Sequence, residues 1–200
     1  MSSLNKVSKA SSRVLISGSS GSGKKTSARY IHENSKQSAG NFIAINCSVS
    51  DQDELDRMLF GIENKDGLQE VGALEKANGG TIYLDEVAEM PLDLQGKLLK
   101  FLVERTINRI GSNEQLGVDL RVISSTNSDF SAKIKSKKFR EDLFHRLNVV
   151  PIKTPSLSER IDDIPLLAKY FVEQLSSFNG FSYREFTNEA LSFLQAMSWP

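Results

Sequence analysis

The chain has 200 residues, 39% of them hydrophobic and 25% charged, with 25 lysines and arginines balanced by 25 aspartates and glutamates. That length supports one domain, or one and a fraction, around a buried core. Zero net charge excludes the basic excess of a dedicated nucleic-acid module. A single cysteine, Cys47, excludes an internal disulfide framework and suits a reducing cytoplasm. No apolar run reaches membrane-spanning length, and Met1-Ser2-Ser3-Leu4-Asn5-Lys6 lacks a signal-peptide core, so a soluble cytoplasmic protein without a membrane partner is expected.

Residues 1–12 are polar and serine-rich and read as a lead-in. Apolar, β-branched runs at 13–17, 42–47, 81–85, 120–125 and 149–152 predict short buried strands. Helical patterns lie between them: a polar helix over 25–34, and a later one with Leu94, Leu98, Phe101 and Leu102 on one face. Strands alternating with helices define an α/β class, a parallel sheet covered on both faces that binds ligands beyond its carboxyl ends. Residues 13–154 form this unit. Pro151, Pro155 and Pro165 then punctuate the chain, and residues 155–200 read as a partial helical subdomain, cut short at Trp199-Pro200. In it Ile164, Leu167, Ala168, Phe171, Val172 and Leu175 share a face, with Asp162 or Asp163 and then Thr187 as N-caps.

The chemistry-bearing residues cluster at predicted strand ends. Gly18-Ser19-Ser20-Gly21-Ser22-Gly23-Lys24 follows a strand and opens a helix. Such a turn lets backbone N–H groups converge on phosphate oxygens, aided by the helix dipole, while the lysine reaches the terminal phosphates. A plain glycine turn is the alternative. The general pattern has Ser or Thr next, for magnesium; here Lys25 stands there and Thr26 follows. Ile82-Tyr83-Leu84 ends in Asp85-Glu86. After a phosphate loop, the first acid holds magnesium through water and the second polarises attacking water; alone, the pair would read as a turn and helix cap. Asn127 either bonds a γ-phosphate and orients water or makes an Asx turn. Asn46 either restrains Glu86 or satisfies a strand end. Arg140 and Arg146, six positions apart, either stabilise phosphoryl charge from a neighbouring subunit or pair at the surface with Glu141 and Asp142. His32 and His145 lack partners at metal-ligand spacing and read as structural, Cys47 as core, and Lys133, Lys135, Lys137 and Lys138 as a solvated helix face.

Taken in order, these motifs resemble the central AAA+ ATPase domain of sigma-54-dependent transcriptional activators, the NtrC family. The resemblance runs from Val14 to Pro200 and includes Phe42-Ile43-Ala44-Ile45-Asn46-Cys47, Leu59-Phe60-Gly61, Met90-Pro91-Leu92-Asp93-Leu94-Gln95, Phe139-Arg140-Glu141-Asp142-Leu143-Phe144-His145-Arg146-Leu147-Asn148 and Arg160-Ile161-Asp162-Asp163-Ile164-Pro165. It implies an AAA+ P-loop fold with a helical lid, binding ATP or ADP with Mg2+. Residues 18–24 would cradle phosphates, Asp85 serve magnesium through water, Glu86 activate water and Asn46 switch that glutamate. Asn127 would be the first sensor, and Arg140 and Arg146 fingers acting in trans within a hexameric or heptameric ring.

Two departures shape the expectation. The family carries glutamate after the loop lysine, so Lys25 reverses the charge there. Its GAFTGA loop, which contacts sigma-54, is replaced by the shorter Ile62-Glu63-Asn64-Lys65-Asp66-Gly67-Leu68-Gln69-Glu70-Val71. The chain thus looks like the NtrX-type branch of response regulators, not expected to activate sigma-54 directly. There, receiver and DNA-binding domains would flank this segment of a two-component regulator acting on the transcription machinery. Slow or assembly-dependent ATP hydrolysis is one expectation; a nucleotide-binding oligomerisation module with little turnover is the other.

Overall fold

The structure, a computed structural model, describes residues 2–64, 67, 69–179 and 182–199. Lys65, Asp66 and Leu68 of the short replacement loop, and the terminal Pro200, lie outside the described residues. Two compact units divide the chain: residues 1–18 with 23–153, and residues 19–22 with 154–200.

The first unit begins with α1 (Ser2–Lys9), β1 (Val14–Ser17), α2 (Lys24–Glu33), β2 (Phe42–Asn46) and α3 (Gln52–Phe60). A hairpin of β3 (Gly61–Glu63) and β4 (Gln69–Val71) follows, then α4 (Ala73–Lys76), β5 (Thr81–Asp85) and α5 (Leu92–Glu104). A second hairpin, β6 (Thr106–Ile107) and β7 (Leu116–Gly117), leads to β8 (Arg121–Thr126), α6 (Phe130–Lys135), α7 (Glu141–Leu147) and β9 (Val150–Lys153). All five expected strands form, with bounds shifted by a residue or two. Arg13 lies just outside the first, where the parallel pairing begins at Val14, and its guanidinium donates to the Leu102 carbonyl at 3.3 Å.

The main sheet has order β2-β5-β8-β1-β9 and every pairing in it is parallel. The connection leaving the carboxyl end of β1 runs toward β2 on one side and that leaving its neighbour β8 runs to β9 on the other, which opens a crevice between them. Side chains alternate across the sheet. Ile82 and Leu84 of β5 enter the larger core with Leu15, Val122 and the α5 stripe Leu94, Leu98, Phe101 and Leu102. Tyr83 turns the other way, onto Val14, Ile16, Ile123 and the α2 residues Ala28 and Ile31. Each fully buried aliphatic side chain of this kind is worth about 1.5–3 kcal/mol.

The segment read as a polar lead-in carries α1. Its Leu4 and Val7 pack on the second core cluster, and Tyr30 of α2 donates to Asn5 at 2.5 Å. Arg121, buried on the same face, donates to the carbonyls of Ser8 (3.0 Å) and Val7 (2.8 Å). The guanidinium therefore caps the negative end of α1.

The second unit contains the 3-10 turns Leu157–Glu159 and Ile161–Asp163, then α8 (Ile164–Asn179) and α9 (Asn188–Ala196). Ser156 and Glu159 form a capping box, and Thr187 caps α9 by accepting the Ala190 N–H at 3.2 Å. Asp162 and Asp163 sit in a 3-10 turn that runs directly into α8. The expected α8 stripe is only half covered: Ile164 is buried, whereas Phe171 and Leu175 are 58% and 51% exposed.

Candidate functional site

The loop after β1 is shaped by two glycines. Gly21 (φ 74°) and Gly23 (φ 93°) occupy left-handed backbone, which glycine adopts without a Cβ penalty. A Cβ at either position would meet open space, so conformation rather than crowding demands glycine. Gly18 N–H bonds the Thr126 carbonyl at 3.2 Å, anchoring the loop's start to β8. Ser22 N–H closes a turn on Ser19, its Oγ lies 2.8 Å from Thr154 Oγ1, and its carbonyl accepts from Arg160 at 2.9 Å. Gly23 is the N-cap of α2, so Lys24, Lys25 and Thr26 begin a helix whose first N–H groups lack intrahelical partners.

Lys24 and Glu86 meet at the carboxyl end of the sheet. Lys24 Nζ lies 3.2 Å from Glu86 Oε1 and donates to the Gly18 carbonyl at 3.0 Å; the two side chains are 7% and 18% exposed. Glu86 Oε2 accepts the Asn127 N–H at 2.8 Å. Glu86 itself has φ 51°, ψ 47°, a left-handed conformation costly for a residue with a Cβ. It heads the 3-10 turn Val87–Glu89, which aims its carboxylate back across the sheet end.

Asp85 is held by hydroxyls. Its Oδ1 accepts from Tyr83 Oη at 2.9 Å and from Ser125 Oγ at 2.5 Å, and those two hydroxyls are themselves 2.7 Å apart. Burial and the adjacent carboxylates push the Tyr83 phenol well above its ordinary value, so it serves as a donor. Tyr83 and Ser125 are functional neighbours that motif reading missed. The signal was present: Tyr83 and Asp85 are two apart on one strand and must share a face.

The other candidates are placed as follows. Asn46 lies opposite Asp85 in register, yet its Oδ1 accepts from Ser48 N–H (3.0 Å) and Oγ (2.7 Å), so the structure does not bring it to Glu86. Asn127 contributes its backbone N–H to Glu86, and its Oδ1 accepts from Ser128 Oγ at 3.3 Å. Arg140 makes a bidentate pair with Asp142 at 3.0 and 2.8 Å, the surface arrangement its sequence allowed. Its backbone N–H bonds Gln95 Oε1 at 2.9 Å, and Gln95 is fully buried on α5, so α5 fixes where α7 starts. Arg146 lies exposed in the last turn of α7. Lys25 and Thr26 are exposed. His32 is buried, its Nδ1 2.9 Å from Thr81 Oγ1, and His145 pairs loosely with Glu141 at 3.8 Å. Cys47 is buried, its thiol pushed up to about 12 by burial and by Asp85 and Glu86. Of the basic cluster, Lys133 pairs with Glu89 at 2.6 Å, while Lys135, Lys137 and Lys138 are exposed.

Among the described residues no three His, Cys, Asp or Glu side chains converge as a metal cage. Asp85 has one oxygen tethered by two hydroxyls, and among the described residues no hydrogen bond engages its Oδ2. That donor set fits magnesium, which keeps waters and takes one or two carboxylates beside phosphate oxygens.

A parallel sheet with a glycine loop and lysine after β1, and two acids at the end of the neighbouring-but-one strand, defines a P-loop NTPase domain. Residues 1–153 match the sigma-54 interaction domain and residues 158–200 the AAA+ ATPase lid domain. The chain belongs to the sigma-54 interaction domain family of NtrC-type regulators. It is 44% identical over 198 residues to the nitrogen assimilation regulatory protein NtrX of Azorhizobium caulinodans, covering 98% of this chain and 44% of that protein. It is 45% identical over 199 residues to the regulatory protein AtoC of Escherichia coli K12, covering 98% and 43%. The crystal structure of Brucella abortus NtrX superposes with a TM-score of 0.92 at 41% identity, over 99% of this chain and 44% of that one. That protein has also been solved with ADP and with ATP. The chain thus spans less than half the length of these relatives.

Proposed function

We propose that this chain binds ATP or ADP with magnesium and hydrolyses ATP in an assembly-dependent way, as the central domain of a response regulator controlling transcription. The observation that carries this reading is the Lys24–Glu86 pair at 3.2 Å, which puts the loop lysine and the second acid in one place at the sheet's carboxyl end. Lys24 is then within reach of phosphates cradled by residues 18–24, and Glu86 takes a proton from attacking water. Magnesium, held by Asp85 through water, would neutralise phosphate charge; Tyr83 and Ser125 keep that carboxylate oriented. Asn127 positions Glu86 through its N–H. Arg140 and Arg146 act on a neighbouring copy's site in a ring, for which Arg140 must leave Asp142. Asn46 engages Glu86 only after its Ser48 bonds open.

The segment between β3 and β4 lacks the sequence of the loop that touches sigma-54, so the domain acts through assembly rather than on that factor directly. DNA contact belongs to other domains of the full protein. A second reading, a nucleotide-sensing oligomerisation module with little turnover, is favoured by the occupied pair Arg140–Asp142 and by the reversed charge at Lys25. Phosphate release by the chain and by Glu86→Gln, measured across protein concentration, decides between them. Release that rises with concentration and falls at least 100-fold in Glu86→Gln supports hydrolysis on the scale of a lost general base. No release at any concentration leaves the sensing module.

A further inference from the structure

We propose that Glu89, gripped by Ser128 and Lys133, is a positioning residue that holds the Glu86 carboxylate on the Asn127 N–H, an inference that rests on the role given to Glu86 above. Glu86 and Glu89 stand at the two ends of one 3-10 turn, closed by the Glu89 N–H on the Glu86 carbonyl at 2.9 Å. Residues three apart in such a turn eclipse, so both carboxylates leave it on one side. That side meets the end of β8. Glu86 Oε2 accepts from the Asn127 N–H at 2.8 Å, and Glu89 Oε1 accepts from Ser128 Oγ at 2.8 Å. The turn after β5 and the turn after β8 are therefore joined by two adjacent bonds, one to each glutamate.

A third element reinforces the second bond. Glu89 Oε2 accepts from Lys133 Nζ on α6 at 2.6 Å. That helix is itself fixed: Asp129 caps it by accepting the Ser131 N–H at 2.8 Å, and the Lys133 carbonyl accepts the N–H groups of Lys138 and Phe139. Lys133, then Ser128, hold the Glu89 carboxyl below its ordinary range, so it is ionised at neutral pH. Ser128 has one hydroxyl proton and two acceptors in reach, Glu89 Oε1 at 2.8 Å and Asn127 Oδ1 at 3.3 Å. The shorter, charge-assisted bond takes it. Without that carboxylate the proton passes to Asn127 Oδ1, and the Glu86–Asn127 bond loses the one beside it. Glu86 cannot spare the support. Its left-handed backbone, φ 51°, persists only where surrounding bonds over-determine it.

The test compares Glu89→Gln and Lys133→Met with the native chain by amide exchange, Mg-ATP affinity and phosphate release. The two side chains are 38% and 23% exposed, so neither change empties the core. Exchange at Asn127 should quicken about fivefold or more, the scale of one weakened hydrogen bond, while Val122 and Ile123 inside β8 keep their native rates. Phosphate release should fall roughly 10- to 100-fold, as for a catalytic group displaced by about 1 Å, with affinity for Mg-ATP kept within about twofold. In the Glu86→Gln background, adding Glu89→Gln should cost nothing further, because both act through one carboxylate. Unchanged Asn127 exchange in both variants, or a full additional loss of release in that background, overturns the inference. Should the native chain release no phosphate, or Glu86→Gln release it at the native rate, the role given to Glu86 falls instead. Exchange at Asn127 then decides by itself whether Glu89 and Lys133 hold the turn.

Discussion

Lys24 and Glu86 neutralise each other at the sheet end, and Glu86 holds a left-handed backbone conformation. An αL residue with a Cβ costs about 1–3 kcal/mol, so the pairing and the Asn127 N–H must offset it. Two neighbours of this site give residue-level predictions. Cys47 is buried with its thiol raised to about 12, and thiolate is the reactive form. At pH 8 a thiol reagent should modify it only when the chain is unfolded by denaturant; labelling of the native chain within minutes would contradict its placement. His32 is held below its ordinary 6.5, first by burial and then by nearby arginines against Glu33. As pH falls through 6.5 the unfolded chain takes up a proton that the folded chain refuses, so stability is lost on acidification. Melting temperature should therefore drop from pH 7 to pH 5, and His32→Gln should flatten that part of the drop. Placement was legible where a motif fixed it: Lys24 opens α2, Asp85 ends β5 and Glu86 follows it at the same sheet end. Partners made by the fold were not: Glu86 bonds Lys24 and Asn127 rather than Asn46, because Ser48 holds the asparagine in a local turn.

Elements were legible through period. Ile82 and Leu84 against Tyr83 is a two-residue alternation, and Leu94, Leu98, Phe101 and Leu102 is a helical stripe; both faces are buried as the pattern required. Helix α1 was hidden because a polar segment offers only Leu4 and Val7 to a core, and its main anchor is Arg121, more than a hundred residues away. This anchoring is testable. Replacing a buried charge by an apolar side chain of similar size is often neutral for stability. Arg121→Met should thus leave global stability within about 1.5 kcal/mol, while amide exchange in α1 quickens. Loss of a carbonyl bond from a charged donor, at about 1.5–3 kcal/mol, corresponds to roughly 10- to 150-fold faster exchange. Unchanged α1 exchange would show that Arg121 does not hold the helix. The α8 face shows the opposite limit of periodicity: Phe171 and Leu175 lie on the predicted stripe yet remain exposed among the described residues. A stripe shows that a face can be buried, and only a partner element decides whether it is.

At the scale of the whole molecule, family membership explains why so many short motifs occur in register across the chain. The sheet order β2-β5-β8-β1-β9 brings the ends of β1, β5 and β8 together, so the loop lysine, the two acids and the Asn127 N–H converge although 103 positions separate Lys24 from Asn127. Sequence order alone did not supply that convergence; the insertion of β1 between β8 and β9 did. Titration of the chain with ATP in the presence and absence of magnesium, alongside Lys24→Ala, tests whether this convergence is a nucleotide site. Saturable binding by the native chain is expected, strengthened by magnesium and weakened at least tenfold in Lys24→Ala, the scale of a lost charge-assisted phosphate contact. Binding that is absent from the native chain, or equal in Lys24→Ala, would contradict it.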